Sequence, residues 1–168
     1  PGGWLDWVPQ ETILFDRAHL ARETVVRLAP DAGCLLLEAV ILGRAAMGEQ
    51  VKDLQFSDLR RIERAGKPVF LEPFVLNSNI LAKGPRSAIL GPARAFATLV
   101  LAAPGAEDAL GAARAALGEP GVEAAASAFD GKCVVRMLAA DGWPLRRQIL
   151  KLMGALRRGA APPRVWQT

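Results

Sequence analysis

The chain has 168 residues, a length that fits one domain and allows burial of roughly 70% of the unfolded surface. With 51% apolar and 23% charged residues it has the composition of a globular protein, which excludes a disordered segment. No apolar run reaches the ~18–20 residues that span a bilayer, and no basic segment precedes an apolar export signal. We therefore expect a soluble, cytoplasmic protein that does not contact membranes.

Residues 4–16 place two short apolar runs on either side of a polar corner. Pro9 prevents a helix from continuing through the first run. Residues 12–15 are β-branched or aromatic and predict a buried strand. Gln10 and Glu11 then lie in the bend, where the simplest role for their side chains is to bond nearby backbone groups.

The next two apolar segments predict strands with different exposure. Residues 20–28 alternate, as in a half-buried strand. Residues 34–42 are almost continuously apolar, interrupted only by Glu38. A strand buried on both faces and a short buried helix fit this second segment equally well. Cys34 and Cys133 lie in such apolar contexts and are expected to be buried free thiols, which suits a reducing compartment.

Residues 50–70 allow two interpretations. They fit a short capped helix, or a hairpin that turns at residues 65–67. Two short strands are expected on either side of Glu72, at residues 69–71 and 74–76. Residues 77–86 are expected to form a loop.

The last part of the chain predicts a central strand, a hairpin and two helices. The strand covers residues 93–103, and the hairpin turns around Asp130 and Gly131. One helix is predicted over residues 106–117. The other, over residues 143–158, has a cap at Asp141 or Gly142 and an apolar stripe at helical spacing.

Common catalytic motifs are absent from the sequence, and the single histidine, His19, is better explained as an exposed loop residue than as a metal ligand. What remains is a set of carboxylates in apolar surroundings: Glu11, Glu38, Glu49 and Glu72. A buried carboxylate needs a partner, and Arg44 and Arg94 are the candidates. Alternatively, the carboxylates line a water-filled internal passage and bind a divalent cation one after another as it moves through.

Basic residues are concentrated at the end of the chain. Residues 143–168 contain six arginines and lysines and no acid. Such a surface fits a solvated helix face, an acidic partner or nucleic acid. No aromatic residues interleave with the basic ones to stack bases, so the solvated face is the preferred interpretation.

Several ordered motifs resemble the UreD/UreH urease accessory family. They are Trp-Val-Pro-Gln-Glu-Thr-Ile-Leu-Phe at residues 7–15, Leu-Glu-Ala-Val-Ile-Leu-Gly-Arg at 37–44, Met-Gly-Glu at 47–49, the apolar segment 91–101, and Pro-Arg-Val-Trp at 163–166. The resemblance covers essentially the whole chain and departs from the family at Arg17 and His19. Because family members carry roughly a hundred further residues before this corner, residues 1–168 are expected to be one domain from the C-terminal part of a longer protein.

The resemblance implies a mainly β (α+β) fold, with a β-helical, strand-rich body and two C-terminal α-helices. It favours a strand over residues 34–42 and a hairpin over residues 50–70. It also implies a role for six motif residues in partner binding or in structure. These are Gln10, Glu11, Arg44, Glu49, Arg164 and Trp166.

The implied function is that of a scaffold without catalytic activity, which helps deliver nickel to apo-urease together with the accessory F protein and the GTPase G protein. Glu38 and Glu72 match family carboxylates and would line a transient nickel path, with no tightly bound cofactor. Two rival interpretations remain. The chain is a basic nucleic-acid-binding module built on its last helix, or it is part of an enzyme whose catalytic residues lie outside it.

Overall fold

The computed structural model describes residues 2–83 and 90–167, in which the backbone forms nine β-strands and three α-helices. The strands are β1 (Trp4–Trp7), β2 (Thr12–Leu14), β3 (Ala18–Leu28), β4 (Gly33–Leu42), β5 (Leu54–Arg64), β6 (Lys67–Asn77), β7 (Ala95–Ala102), β8 (Val122–Phe129) and β9 (Lys132–Ala139). The helices are α1 (Ser78–Leu81), α2 (Leu110–Ala115) and α3 (Gly142–Leu156). The predicted mainly β (α+β) fold class is confirmed.

The strands form two sheets. The larger sheet has the order β1-β4-β7-β9-β8, and β2 also pairs with β4, further along that strand than β1. The smaller sheet has the order β3-β5-β6. From β2 to β5 the chain alternates between the sheets, and β4 and β5 run parallel to β2 and β3 respectively. This alternation is one turn of a β-helical coil. Strand β1 also pairs parallel with β4, whereas β6, β7, β8 and β9 pair antiparallel with their neighbours.

Strand β4 is buried on both faces, which explains why its sequence alone could not distinguish a strand from a helix. Leu35 and Leu37 pack with residues of α3, while Leu36 and Val40 pack with residues of the smaller sheet. Both faces therefore require apolar side chains, and no alternation appears. The strand interpretation is confirmed.

Helix α3 covers the outer face of the larger sheet, as its sequence predicts. The side chain of Asp141 accepts a hydrogen bond from the Trp143 backbone N–H at the start of the helix. All five residues of the predicted stripe are buried: Leu145, Ile149, Leu152, Met153 and Leu156. The other predicted helix, over residues 106–117, is divided into a 3₁₀ turn at Ala106–Ala109 followed by α2.

Two predictions about residues 50–86 are corrected. Strands β5 and β6 form the hairpin, so the helix alternative for residues 50–70 is wrong. The two strands expected around Glu72 are one continuous strand, β6, which contains Pro68 and Pro73. Strand β6 lies at the edge of its sheet and has a neighbouring strand on one side only. It therefore tolerates prolines, which have no backbone N–H to donate to a second neighbour.

The loop expected over residues 77–86 contains the short helix α1. The side chain of Asn77 caps this helix by accepting a hydrogen bond from the Ile80 backbone N–H. Residues 84–86 of the expected loop lie outside the described residues.

Cys34 and Cys133 are buried free thiols, as expected. Burial raises the pKa of Cys34 to about 11, so this thiol is un-ionised and unreactive near neutral pH. His19 is exposed as expected, but it lies on β3 rather than in a loop.

Candidate functional site

Glu38 projects from β4 into the space between the two sheets. Its even-numbered neighbours on β4 face the smaller sheet, so the Glu38 side chain does too, and the residue is only 2% exposed. Arg22 Nη2 lies 2.9 Å from Glu38 Oε2. Trp7 Nε1 donates a hydrogen bond to the other carboxylate oxygen at 3.1 Å. A cation from one sheet therefore compensates the charge that the other sheet buries.

Glu72 lies on the edge strand β6 and bridges two arginines. Arg60 Nη1 lies 2.9 Å from Glu72 Oε2. Arg136, from β9 of the larger sheet, lies 2.7 Å from Glu72 Oε1 through its Nη2 atom. Glu72 therefore links the two sheets, as Glu38 does.

Asp58 on β5 joins the two groups. Its carboxylate lies 2.7 Å from Arg22 Nη2 and 2.7 Å from Arg60 Nη2. The result is a continuous series of alternating charges, here called the ionic chain. Its members, in order, are Glu38, Arg22, Asp58, Arg60, Glu72 and Arg136.

Strand register brings the ionic chain together. In the larger sheet, Glu38 and Arg136 lie in one transverse row with Thr98 between them. In the smaller sheet, the other four members occupy positions that face the larger sheet. Along β5 this inward series runs from Phe56 to Ile62, with an acid and an arginine between them. The ionic chain thus divides the inter-sheet core into two separate apolar clusters.

Arg22 and Asp58, in the middle of the ionic chain, stabilise each other's charged forms. Burial raises the pKa of Asp58, but hydrogen bonds from Arg22 and the charge of Arg60 outweigh that effect and hold the pKa below its ordinary value. Burial lowers the pKa of Arg22, while Asp58 and Glu38 raise it by a larger amount. Arg22 and Asp58 are therefore ionised at neutral pH.

The ionic chain runs between two surface clefts. Trp7, the hydrogen-bond donor to Glu38, lines a cleft of about 650 Å³ between β1 and β3. At the other end, Arg60, Glu72 and Arg136 line a cleft of about 460 Å³ that also contains Glu123. The ionic chain thus runs through the inter-sheet core from Glu38, which bonds to Trp7 of the first cleft, to Glu72 and Arg136 in the second.

Within residues 2–83 and 90–167, no group of three or more His, Cys, Asp or Glu side chains is placed to hold a metal ion. The carboxylates of the ionic chain are instead separated by guanidinium groups. The layer therefore offers single carboxylates in succession rather than one chelating site.

The expected arginine partners of the predicted carboxylates are correct for Glu49 only. Arg44 pairs with Glu49 at 2.9 Å, not with Glu38 or Glu72. Arg94 donates hydrogen bonds to the backbone oxygens of Leu42 and Glu49. Hydrogen bonds from the side chain and backbone of Arg44 lower the pKa of Glu49 to about 2. These residues fix the loop after β4.

The motif residues of the first corner bind the end of the chain. Gln10 Nε2 donates to the backbone oxygen of Val165 at 2.8 Å. Trp166 is buried and its Nε1 donates to the backbone oxygen of Val8 at 2.8 Å. Glu11 pairs with Arg146 of α3 at 3.2 Å. Arg164, by contrast, is exposed.

The basic C-terminal surface is not a freely solvated face. Four of its six cations form ion pairs: Arg146 with Glu11, Arg147 and Lys151 with Glu119, and Arg157 with Asp6. The side chains of Arg146 and Arg157 are also largely buried. The solvated-face prediction is therefore wrong for these two residues, because the acids that neutralise them come from distant parts of the sequence.

Sequence reasoning found Glu38 and Glu72 but missed the other four members of the ionic chain. A signal for Asp58 and Arg60 was present. Once residues 50–70 are taken as a hairpin, the alternation of β5 places both side chains inward. Alternation along residues 20–28 likewise places Arg22 on the same face as Leu20 and Val26. No such signal identified Arg136, and the pairing of both arginines depends on strand register.

A two-sheet, mainly β protein crossed by buried ion pairs and covered by helices defines a fold class rather than a particular protein. Comparison with known proteins is more specific. The chain belongs to the UreD urease accessory protein family, whose model matches residues 1–167.

Individual relatives agree with this assignment. The chain is 63% identical over 166 residues to the urease accessory protein UreD of Cereibacter sphaeroides, covering 99% of this chain and 60% of the relative. It is 54% identical to the protein of that name from Paracoccus denitrificans, covering 99% and 59%. It is 48% identical to that of Rhizobium leguminosarum bv. viciae, covering 96% and 59%. The chain thus spans about 60% of the length of the curated relatives it matches.

Among the described residues, the longest and most apolar helices still fall short of what a bilayer crossing requires.

Proposed function

We propose that this chain is a non-catalytic part of the urease maturation machinery, and that its ionic chain passes nickel ions across the inter-sheet core. The observation that carries the proposal is the continuous series from Glu38 to Glu72 between two surface clefts. Relatives over almost the whole chain are named urease accessory proteins, which supplies urease as the destination.

Single carboxylates suit transfer better than storage. Nickel accepts oxygen ligands and water, and a lone carboxylate binds it too weakly to trap it. Glu38 and Glu72 lie at different points of the ionic chain and belong to different sheets. An ion moving along this route would exchange one weak ligand for the next while water completes its coordination.

The partners in this proposal are the accessory F protein and the GTPase G protein as the source of nickel, and apo-urease as its acceptor, all in the cytoplasm. We do not propose nucleic-acid binding. Most of the C-terminal cations already pair with carboxylates of this chain, which leaves less free positive charge for a phosphate backbone.

The test uses the full-length protein carrying Glu38→Gln or Glu72→Gln, substitutions that keep side-chain volume and remove charge. Complexes with the F and G proteins and apo-urease are isolated by pull-down, and nickel per urease active site is measured. We expect intact complexes with reduced nickel loading.

Glu63→Gln is the matched control. Glu63 also pairs with two arginines, Arg27 and Arg61, but it lies outside the ionic chain. Unchanged loading in the Glu72 variant, with its complex intact, would contradict the conduit. Loss of the complex would instead assign Glu72 a purely structural role.

A further inference from the structure

Arg136 differs from the other two arginines of the ionic chain in its exposure. Its side chain is 60% exposed, compared with 24% for Arg22 and 2% for Arg60. Among the described residues, its guanidinium bonds only to Glu72 Oε1, through Nε at 3.0 Å and Nη2 at 2.7 Å. Arg136 therefore forms the end of the ionic chain at the cleft that also contains Glu123, and its single contact there, with Glu72, faces solvent.

The charge balance of the ionic chain requires one of its arginines to move away before a divalent cation enters. The ionic chain contains three arginines and three carboxylates, so its formal charge is zero. Adding a divalent ion to this poorly solvated layer would leave two uncompensated positive charges, which is strongly unfavourable. A guanidinium that moves into water relieves part of that excess.

Only one of the three arginines is placed to leave. Arg60 is buried and bonds to both Asp58 and Glu72. Arg22 is held by carboxylates on two strands and also donates to Thr12. Arg136 has a single carboxylate partner and faces the cleft.

Glu123 offers Arg136 a second position. It lines the same cleft, and the described residues give it no ion-pair partner. Ala125, two residues further along β8, pairs with Arg136 across the ladder. Glu123 is therefore a diagonal neighbour on the same face of the sheet, within reach of a long arginine side chain.

We propose that Arg136 is the gate of the ionic chain, closed when it pairs with Glu72 and open when it pairs with Glu123. In the open position Glu72 Oε1 faces the cleft and accepts a divalent cation. This inference rests on the proposed function, because it describes how nickel gains access to the conduit at Glu72. Arg136 is a positioning residue: it controls access and does not bind the ion.

The experiment measures the initial rate of nickel loading into apo-urease in the complete complex, with full-length protein carrying Arg136→Gln, Glu123→Gln or both. Arg136→Gln removes the closed position and should speed loading. Glu123→Gln removes the open position and should slow loading by about two- to fivefold, the shift expected from one exposed ion pair. The double variant should match Arg136→Gln alone, because Glu123 acts only through Arg136.

Arg27→Gln is the control for loss of a positive charge, since Arg27 is an exposed arginine paired with a glutamate away from the cleft. The gate is wrong if Arg136→Gln loads no faster than Arg27→Gln, or if Glu123→Gln slows loading equally with and without Arg136. If Arg136→Gln does not fold, as judged by thermal denaturation, the test depends on Glu123→Gln alone. Slower nickel loading in that variant then supports the gate, and an unchanged rate contradicts it. A gate failure is distinct from a conduit failure, since only the latter leaves loading unchanged in Glu72→Gln.

Discussion

Asp58 is the residue on which the ionic chain depends most, because the buried Arg60 and the partly buried Arg22 share its carboxylate. Replacing it with Asn would leave Arg22 and Arg60 short of a counter-charge inside the protein. We expect Asp58→Asn to lower the free energy of unfolding by about 3–5 kcal/mol, as for other buried ion pairs that lose one partner. Urea denaturation measures this loss.

Arg27→Gln serves as the comparison for that measurement. Arg27 is mostly exposed, and its contact with Glu63 is long at 3.5 Å. We expect a change of at most about 1 kcal/mol, as for exposed ion pairs. A similar small change in Asp58→Asn would show that the buried layer contributes little to stability.

Glu49 predicts how stability responds to acid. Its pKa is lowered from 4.5 to about 2 in the folded protein, so the unfolded state binds the proton more tightly. Stability from this group is therefore complete above about pH 5 and falls as the pH drops through 4.5 towards 2. Asp58, whose pKa is also lowered, acts in the same direction.

Denaturation midpoints measured between pH 7 and pH 2.5 test this expectation. Glu49→Gln should be less stable than the unmodified protein at pH 7 and should lose less stability on acidification. Parallel pH curves for the two proteins would show that the Arg44–Glu49 contact does not contribute.

Some residues of the site were accessible to sequence reasoning and others were not. Glu38 and Glu72 stood out because each interrupts an apolar segment. Their partners did not, because Arg22 and Arg136 approach them from other strands, and pairing between strands depends on register. Arg44, one of the candidate partners, bonds instead to Glu49 in its own loop.

Helix α3 was the element best predicted from sequence, since its cap and its apolar stripe are local signals that agree with its tertiary packing. Leu152 is fully buried between the helix and the larger sheet. Leu152→Ala should lower the free energy of unfolding by about 2–4 kcal/mol, measured by urea denaturation.

Gly154→Ala, in the same helix, should have the opposite effect. No atom lies within 4 Å of an added Cβ, and the position is exposed. We expect a gain of about 0.5–1 kcal/mol from better helix propensity. If Leu152→Ala changes stability no more than this, the stripe of α3 does not hold the helix to the sheet.

Strand β4 shows where prediction at the level of elements fails. Burial on both faces removes the alternation that identifies a strand, so resemblance rather than periodicity gave the correct interpretation. Likewise, two short strands were expected on either side of Glu72 and Pro73, but an edge strand tolerates a proline and continues through it.

On one side of the molecule, both sheets end in edge strands that have no further partner strand among the described residues. Strands β1 and β2 lie at one edge of the larger sheet, and β3 lies at one edge of the smaller sheet. Leu5 and Trp7 are exposed there and line the adjacent cleft. Such edges promote association between copies.

We therefore expect the 168-residue chain to self-associate in sedimentation velocity experiments, and Leu5→Lys to reduce this association by placing a charge on the exposed edge. A monomer over the whole concentration range would contradict the expectation.

The β-helical coil could not be predicted from composition or periodicity. It arises because consecutive strands from β2 to β5 alternate between the sheets, and this alternation leaves no repeated motif in the sequence. The ionic chain has the same origin, since the coil brings inward residues of β3, β4 and β5 into one layer.

Glu38 and Glu72 are, in the proposed function, successive steps of one route for nickel. The most direct test is the initial rate of nickel loading into apo-urease by full-length protein carrying Glu38→Gln, Glu72→Gln or both, in complexes shown to be intact. Because the delays of steps in series add, we expect each single variant to load slowly and the delay of the double variant to be close to the sum of the two single delays. Loading at the unmodified rate in either single variant, or a double variant slowed by the product of the two single effects, would contradict this expectation.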